Sequence, residues 1–447
     1  MPYMTVPRTI CFGFLAVIAV GTLLLMLPIA IADGTWGDFI TAFFTATSAV
    51  CVTGLIVEDT GTYFSFFGQC MLLLMVQIGG LGYMTANTFL LLILGRRLGL
   101  RDKLAVQQSL DKQGLSGVGQ LVKSIIAVTL VFELTGTFAM IPVFAQDFPF
   151  GESIWLAFFH SISAFNNAGF SLFPDNFIGY ATSLPINLTL SLLIIVGGIG
   201  YQVIMETYIW LRDRLSGSTE REIFPLNFKV VVSTTVFLLI FGTVAFFLVE
   251  NRNDATLDPF NIPGQLIIAW FTSVTARTAG FNTIDYGQMT SAGLFITIAL
   301  MFIGASPGGT GSGVKTTTVR ILYACTKAVL QNKEEVLCYQ RRIPNSLVLK
   351  AVGVVFGSGA TVIIVTTLIS FTDPTIEFID TLFEAVSAFA TVGLSTGITA
   401  TLSIPSKLII ILTMYIGRVG ILVLMTAFLG NPTPSSVRYP EENLLVG

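Results

Sequence analysis

The sequence predicts an all-α integral membrane protein in which four M1–P-loop–M2 repeats surround a central pore in a pseudo-fourfold arrangement. Eight transmembrane helices and four re-entrant pore helices make up this expected fold. Three observations lead to it: the chain is too apolar for a soluble protein, its basic and acidic loops alternate, and one short apolar motif ending in glycine occurs four times.

The composition separates this chain from soluble proteins. Of its 447 residues, 53% are hydrophobic and 11% are charged, whereas soluble domains carry roughly 25% charged residues. Apolar runs of about 20 residues, the length that crosses roughly 30 Å of hydrocarbon, predict the membrane spans. The eight predicted spans cover residues 10–32, 69–94, 120–145, 184–210, 228–249, 292–303 with its continuation, 347–371 and 404–429.

The loops between these spans alternate in charge, which predicts the orientation of the chain. Acidic residues dominate one set of loops, and basic residues fill the other set, namely Arg96, Arg97, Arg101, Lys103 and Lys112, then Arg212, Arg214, Arg221 and Lys229, then Arg320, Lys327, Lys333, Arg341, Arg342 and Lys350. By the positive-inside rule, the basic loops and both termini are cytoplasmic in a multi-pass membrane protein. Because the basic segments are short and lie at helix ends, we interpret them as topology signals and not as nucleic-acid-binding patches. The expected surroundings are the lipid bilayer, and no nucleic acid is expected as a partner.

A repeated motif decides the architecture. Four segments align on one glycine each, at Gly54, Gly169, Gly280 and Gly393, with a nearly constant spacing along the chain. They read FITAFFTATSAVCVTG, IWLAFFHSISAFNNAG, QLIIAWFTSVTARTAG and FIDTLFEAVSAFATVG. An apolar stretch of this length is too short to span a bilayer but suits a re-entrant helix that returns through an extended segment.

The motif sets the expected repeat boundaries. Repeat 1 covers residues 1–95, repeat 2 covers 96–212, repeat 3 covers 213–335 with a broken second span, repeat 4 covers 336–430, and a C-terminal tail covers 431–447. Because each repeat contains two spans, all four have one orientation, and we expect them around an axis along the membrane normal, with the four glycines meeting in one ring.

Such a ring predicts a cation filter made of main-chain oxygens. Glycine adopts positive φ easily, and rings of backbone carbonyls can replace the hydration shell of a cation. No carboxylate recurs at the ring, which favours a monovalent ion over a divalent one. The candidate ligands are the carbonyls of Val52, Thr53, Gly54, Asn167, Ala168, Gly169, Thr278, Ala279, Gly280, Thr391, Val392 and Gly393. The alternative, in which each glycine only caps a short helix, does not explain four glycines in phase.

Four span–pore-loop–span repeats, each ending in a single filter glycine rather than a full TVGYG, resemble the Ktr/Trk/HKT superfamily of potassium transporters, most of all the KtrB-type membrane subunits of bacterial Ktr systems. The resemblance implies potassium uptake by a homodimer with one pore per protomer, sodium as an activator, and a regulatory ring of the KtrA type. The nucleotide is then expected on that cytoplasmic partner and not on this chain. In plant members of the superfamily a serine at the first filter glycine goes with sodium selectivity, so Gly54 favours potassium.

A second repeated motif lies in the second span of each repeat. It reads IGGLG at residues 78–82, VGGIG at 196–200, IGASPGG at 303–309 and IGRVG at 416–420. For the first two copies we interpret the small residues as close helix packing.

The third copy predicts a movable gate under the filter. Five glycines and a proline cost a helix several kcal/mol, at about 1 kcal/mol per glycine and about 3 kcal/mol for proline. A broken span at membrane depth must line a cavity, so we expect a loop across the conduction path, as in the resembled family. The loop consists of Gly304, Ala305, Ser306, Pro307, Gly308, Gly309, Thr310, Gly311, Ser312 and Gly313.

Three basic residues lie near these motifs. Arg418, in the fourth copy, is expected to hydrogen-bond gate-loop carbonyls or repel cations; the alternative is an ion pair with Glu133 or Glu206. Lys315 binds gate-loop carbonyls or reaches toward the membrane surface. Arg277 is expected to brace the filter from behind.

The sequence also narrows the class of function. A single histidine cannot supply an HExxH site, and no GxSxG motif is present, so the chain is not expected to be an enzyme. The alternative to a gated pore is a sodium- or proton-coupled symporter that works by alternating access. Coupling needs intramembrane acids, and Glu133, Glu206 and Glu384 are the candidates.

Overall fold

A computed structural model describes residues 5–82, 118–216 and 224–430, together with Thr85 and Thr88. The described chain is predominantly helical. Its helices are α1 (Val6–Met26), α2 (Phe39–Cys51), α3 (Thr60–Tyr63), α4 (Phe66–Leu81), α5 (Val118–Phe144), α6 (Phe150–Phe165), α7 (Leu184–Ile199), α8 (Tyr201–Leu215), α9 (Leu226–Glu250), α10 (Ile262–Thr275), α11 (Ser291–Phe302), α12 (Thr316–Leu330), α13 (Asn345–Thr372), α14 (Phe378–Ala390), α15 (Ile404–Val419) and α16 (Ile421–Leu429). The tail 431–447 and the first basic loop lie outside the described residues.

One small departure from the all-α expectation lies between α12 and α13. Two short strands, β1 (Leu337–Cys338) and β2 (Arg341–Arg342), pair antiparallel in a hairpin. Its turn consists of Tyr339 and Gln340, both with positive φ. Because this segment is charged and short, hydropathy gives no signal for a strand pair there.

Among the described residues, fewer helices are long and apolar enough to cross a membrane than the eight spans that the sequence predicts. Among the described residues, four uninterrupted helices have the length and apolarity to cross a bilayer: Val6–Leu25, Gly119–Phe144, Leu226–Glu250 and Asn345–Thr372. Two bent pairs, α7 with α8 and α15 with α16, raise the number to six if each counts as one span. The other two predicted spans correspond to α4, which is followed by residues largely outside the description, and to α11, a helix of 12 residues.

The two bends correct the sequence analysis, which treats residues 184–210 and 404–429 as continuous spans. The chain turns by 107° between α7 and α8 and by 91° between α15 and α16. The residues at the breaks are Gly200, with φ 96°, and Gly420, with φ 86°. A left-handed residue cannot continue the right-handed helical hydrogen-bond pattern, so each helix ends one residue earlier. The second copy of the IGGLG-type motif is therefore a hinge as well as a packing site.

In three of these motifs, the first glycine lies directly against the backbone of a neighbouring helix, which is the close packing that small residues predict. A methyl group on Gly79 would collide with the carbonyl oxygen of Val50, and one on Gly197 would collide with that of Phe165. In the fourth motif, Gly417 meets the carbonyl of Phe389 in the same way. These carbonyls belong to the C-terminal ends of α2, α6 and α14. The second spans therefore press directly on the ends of the short helices.

The short helices α2, α6, α10 and α14 lie in the interior. The aromatic residue ten positions before each motif glycine anchors three of them, since Phe44, Phe159 and Phe383 are each at most 1% exposed. Side-chain caps fix two of their starts: Asp38 accepts from the Thr41 amide at 2.9 Å, and Asn261 accepts from the Gly264 amide at 2.9 Å. Burial and capping thus fix where each helix begins and where its C-terminal end points.

The packing of α7 on α6 leads to a test of the fold. We expect Gly197→Ala to lower the thermal stability of the purified protein, because overpacking costs about 1–3 kcal/mol and exceeds the gain in helix propensity. Gly359→Ala is the matched control, since a methyl group there meets no atom within 4 Å. Thermal unfolding in detergent, followed by intrinsic fluorescence, measures both. Equal melting temperatures for the two variants would contradict the packing described here.

Candidate functional site

The four motif glycines lie in a closed ring. A methyl group on Gly54 would be 3.0 Å from the Cα of Gly169, and one on Gly169 would be 2.9 Å from the Cα of Gly280. The same relation holds for Gly280 against Gly393 at 3.2 Å and for Gly393 against Gly54 at 3.0 Å. All four have φ between 71° and 91°. Only glycine combines this conformation with so close an approach of neighbouring backbones.

The residue two positions before each glycine is also left-handed, which the sequence analysis did not foresee. These residues are Val52 (φ 58°), Asn167 (φ 57°), Thr278 (φ 70°) and Thr391 (φ 50°). Positive φ is uncommon for a residue with a side chain, and a β-branched residue pays most for it. Such strain concentrates at functional sites. Four equivalent strained positions around one ring therefore identify the ring as the candidate site.

The amide groups of the ring segments point back to the short helices. In three segments the middle residue donates at 2.8 Å to the carbonyl of a serine six positions before the glycine, as Thr53 does to Ser48, Ala168 to Ser163 and Val392 to Ser387. The hydroxyls of Ser48 and Ser387 also accept from the amides of Gly54, at 3.0 Å, and Gly393, at 3.2 Å. The preceding helices thus accept from these amides of the ring segments.

These serines are site residues that our reading of the sequence missed. The signal was present in the aligned motifs, where the sixth position before the glycine is serine in three of the four copies and Val274 in the third copy. In that third segment the amide of Ala279 donates instead to the carbonyl of Thr275, at 3.0 Å. The signal for such residues is a polar side chain that recurs at one position of aligned, otherwise apolar helices.

Unlike most of the amides, the carbonyl groups of the same segments have no hydrogen-bond partner among the described residues. Within the described residues, no hydrogen bond ends on the main-chain oxygen of any of the twelve candidate filter residues. All twelve are buried except Gly393, which is half-buried. Since buried backbone groups are almost always paired, a ring of unpaired carbonyls is an arrangement that suits a dehydrated cation.

A cavity of about 430 Å³ opens on one side of the ring. Its lining includes the four glycines and several acidic residues from the loops that follow them, namely Glu58, Asp59, Asp175 and Asp285. A concave surface lined by one sign of charge raises the local concentration of the opposite ion. This cavity, here called the vestibule, therefore favours the entry of cations.

The glycine-rich segment 304–313 lies on the other side of the ring, as an irregular loop between α11 and α12. It closes on itself through the amide of Ala305, which donates to the Ser312 carbonyl at 3.1 Å, and through the hydroxyls of Ser306 and Thr316, which are 2.9 Å apart. Its residue Gly311 approaches the ring so closely that a methyl group there would collide with the Thr278 hydroxyl. We call this segment the gate loop.

Arg418 and Lys315 bind carbonyls in the second half of the gate loop. Arg418 donates to the carbonyl of Thr310 and also to that of Gly79, and Lys315 donates to the carbonyl of Gly311 at 2.8 Å. All these residues except Gly79 line a second cavity of about 320 Å³, which shares no lining residue with the vestibule. A hydrogen bond from a charged donor to a carbonyl oxygen is stronger than one between two neutral groups.

The acids that sequence analysis considered for Arg418 have other partners. Glu133 accepts from the side chain of Asn166 at 3.0 Å, and Glu206 accepts from Gln202 at 2.9 Å. Within the described residues, Arg418 forms no ion pair. Its contacts to main-chain oxygens correspond to the gate-loop alternative. Arg277, expected behind the filter, donates to the carbonyl of Gly304 at 3.3 Å, where the gate loop begins.

The gate loop is also attached to the hinge between α7 and α8 by main-chain hydrogen bonds. The amides of Ser306 and Thr310 donate to the carbonyls of Gly198 and Gly197, each at 3.0 Å. The amide of Tyr201, the first residue of α8, donates to the Gly308 carbonyl at 3.2 Å. The loop of the third repeat therefore borders directly on the bent span of the second.

Comparisons with known proteins show which family the chain belongs to. The chain is 36% identical to the Ktr system potassium uptake protein B of Bacillus subtilis, over 99% of this chain and 97% of that protein, and 38% identical to its namesake of Vibrio alginolyticus, over 99% and 95%. It is 37% identical to the potassium/sodium uptake protein NtpJ of Enterococcus hirae, over 98% and 97%.

Among solved structures, the potassium transporter TrkH from Vibrio parahaemolyticus has the same fold. The TM-score is 0.70 at 18% sequence identity, over 94% of this chain and 85% of that one. The family model described as TrkH, cation transport protein, matches residues 10–439. This match covers nearly the whole sequence, including all four motif glycines. The chain therefore belongs to the TrkH family of cation transport proteins.

Proposed function

We propose that this protein takes up potassium across the cytoplasmic membrane through a filter of main-chain carbonyls. One observation carries the proposal: the twelve candidate carbonyls surround a ring of four glycines, and no donor of the described chain occupies them. A dehydrated monovalent cation supplies the positive charge that such oxygens lack. The acidic vestibule on one side of the ring supports entry of that cation.

Potassium is the proposed ion for two reasons. The candidate ligands are neutral backbone oxygens, which discriminate against divalent ions that prefer carboxylates. The relatives at 36% and 38% identity are named potassium uptake proteins. The relative from Enterococcus hirae is named a potassium/sodium uptake protein, which keeps sodium as a proposed activator.

We also propose that each repeat contributes one quarter of the pore. The repeat boundaries stay at residues 95, 212, 335 and 430, and α2, α6, α10 and α14 act as the four pore helices. In this arrangement the vestibule is extracellular, while the basic loops, both termini and the gate loop side of the ring face the cytoplasm of a bacterial inner membrane. The exposed apolar surfaces of the long helices then contact lipid.

Regulation is proposed to come from partners that are not part of this chain. The relatives from Bacillus subtilis and Vibrio alginolyticus are named as proteins of a Ktr system, which supports a membrane subunit that works with other components. We propose a homodimer and a cytoplasmic KtrA-like ring that carries the nucleotide. The gate loop, held by Arg418 and Lys315, is the element on which such a partner would act.

A gated pore fits the structure better than a coupled symporter. The acids that coupling would need are engaged locally: Glu133 by Asn166, Glu206 by Gln202, and Glu384 by Ser395 and Thr399. None of the three is among the residues that line either cavity. A proton or sodium ion passing through the two cavities would therefore meet none of these three carboxylates in their lining.

The filter proposal predicts the effect of Gly54→Ser. The added side chain would collide with the carbonyl oxygen of Ala168, so we expect potassium uptake or the potassium-over-sodium preference to fall about tenfold, equivalent to about 1.4 kcal/mol. Uptake of both ions into potassium-depleted cells measures this. Gly34→Ser is the matched control, since Gly34 has φ 73° and open space around it. If the two variants transport both ions alike, the carbonyl filter is wrong.

The gate proposal predicts the effect of Arg418→Ala. Loss of the two carbonyl contacts frees the gate loop and removes a positive charge from the path, so we expect uptake to rise about threefold to tenfold. Arg8→Ala serves as the control, because Arg8 also binds a main-chain carbonyl, that of Ala427, but does not contact the gate loop. Initial rates per unit of protein in the membrane decide the matter. Unchanged or slower uptake by Arg418→Ala would remove Arg418 from the gate.

A further inference from the structure

We propose that Glu384 is a positioning residue that holds the outer part of the fourth filter segment. This inference rests on the proposed potassium filter and adds a residue to it. Glu384 lies in the middle of α14, nine positions before Gly393, and its side chain is fully buried. A buried carboxyl group is costly unless its hydrogen bonds are made, so its contacts show what it holds.

The contacts of Glu384 all go to the segment that follows the filter. The hydroxyls of Ser395 and Thr399 both donate to its Oε1 atom, the latter at 2.9 Å. The hydroxyl of Ser395 in turn accepts from the amide of Gly397 at 2.9 Å. One carboxyl oxygen thus holds the segment that follows Gly393 through two hydroxyl groups. The second oxygen, Oε2, is buried and has no partner among the described residues.

The segment held in this way forms part of the vestibule wall. Leu394, Ser395, Gly397 and Thr399 line the vestibule, as does Gly393 itself. Since Ser395 follows Gly393 by two residues, a shift of the hydroxyl would move the filter glycine with it. Glu384 therefore acts on the filter through the chain and does not touch the ion.

The second repeat contains a contact with the same spacing. His160 lies nine positions before Gly169, and its Nε2 is 3.0 Å from the hydroxyl of Ser171, two positions after that glycine. Nε2 also accepts from the amide of Leu172 at 3.2 Å, while Nδ1 donates to the carbonyl of Leu156 at 2.8 Å. The ring is thus neutral and serves as a structural acceptor, as the carboxyl of Glu384 does.

The other two repeats carry different residues at these positions. The first has Thr45 and Ile56, and the third has Phe271 and Asn282, and neither pair forms a side-chain hydrogen bond between its members in the described structure. Because Gly169 and Gly393 each contact Gly54 and Gly280 but not one another, repeats 2 and 4 lie across the ring. The two polar contacts therefore brace the filter along one diagonal, which limits its widening in that direction.

The experiment compares ion preference in three variants of buried carboxylates. We expect Glu384→Ala to lower the potassium-over-sodium preference, or raise the apparent KM for potassium, about fivefold. Glu384→Gln should stay within about twofold of the wild type, since one amide oxygen can accept from both hydroxyls. Glu250→Ala is the control: Glu250 is 1% exposed and binds Asn253, Thr256 and Thr290 away from the ring. It should reduce protein yield without changing ion preference.

A second pair of variants keeps the test decisive if Glu384→Ala does not reach the membrane. Ser395→Ala removes the same contact from the other side and should reproduce the change in preference. Added to Glu384→Gln, it should abolish the rescue, because two partners of one contact are not independent. An unchanged preference in Ser395→Ala, or the same small effect in Glu384→Ala and Glu250→Ala, would overturn the role of Glu384.

The outcomes also separate this inference from the function on which it rests. If wild-type protein takes up no potassium, or if Gly54→Ser is silent, the proposed filter fails. If Gly54→Ser changes ion preference while Glu384→Ala and Ser395→Ala do not, the filter stands and only the positioning role is wrong.

Discussion

The structure depends on the requirement that main-chain polar groups in apolar surroundings have partners. Most amides of the four ring segments meet this requirement by bonding back to the preceding helices, whereas the carbonyls of these segments have no donor among the described residues. Glycines at the ring allow the backbones to approach, and left-handed residues such as Val52 and Thr391 turn alternate peptide groups. The strain at these residues and the unpaired oxygens both result from the same backbone conformation. In the proposed function, a cation within the ring would compensate for both.

The gate loop follows the same rule with protein donors. Arg418, Lys315 and Arg277 all direct their charges at main-chain oxygens, and none of them pairs with a carboxylate in the described part of the chain. A cation in the filter and a guanidinium or ammonium group at the gate loop thus perform similar chemistry on similar ligands. The two cavities share no lining residue, so the charges of the gate loop and the acids of the vestibule are kept apart.

Sequence reasoning reached the features that repeat and missed those that depend on a single backbone angle. The predominantly helical membrane fold and the family followed from composition and from four aligned glycines. The bends at Gly200 and Gly420 did not, because hydropathy is blind to φ and the residues on both sides are apolar. The aligned motifs show a serine at the same position in three copies, namely Ser48, Ser163 and Ser387. Their role could be assigned only from the structure, because it depends on the amides that donate to them. The contact of Arg418 with a gate-loop carbonyl was one of the alternatives that the sequence left open, whereas its contact with the carbonyl of Gly79 joins distant segments that no spacing rule connects.

The attachment of the gate loop to α7 and α8 has a consequence for how this protein tolerates change. Because the donors and acceptors at Gly197, Gly198, Tyr201, Ser306 and Thr310 are peptide groups, exchanging one side chain for another leaves the bonds in place. Alanine scanning would therefore not report the contribution of these main-chain bonds. Only chemistry that deletes an amide hydrogen, such as an ester linkage or proline at Thr310 or Tyr201, would expose how firmly the two repeats are coupled.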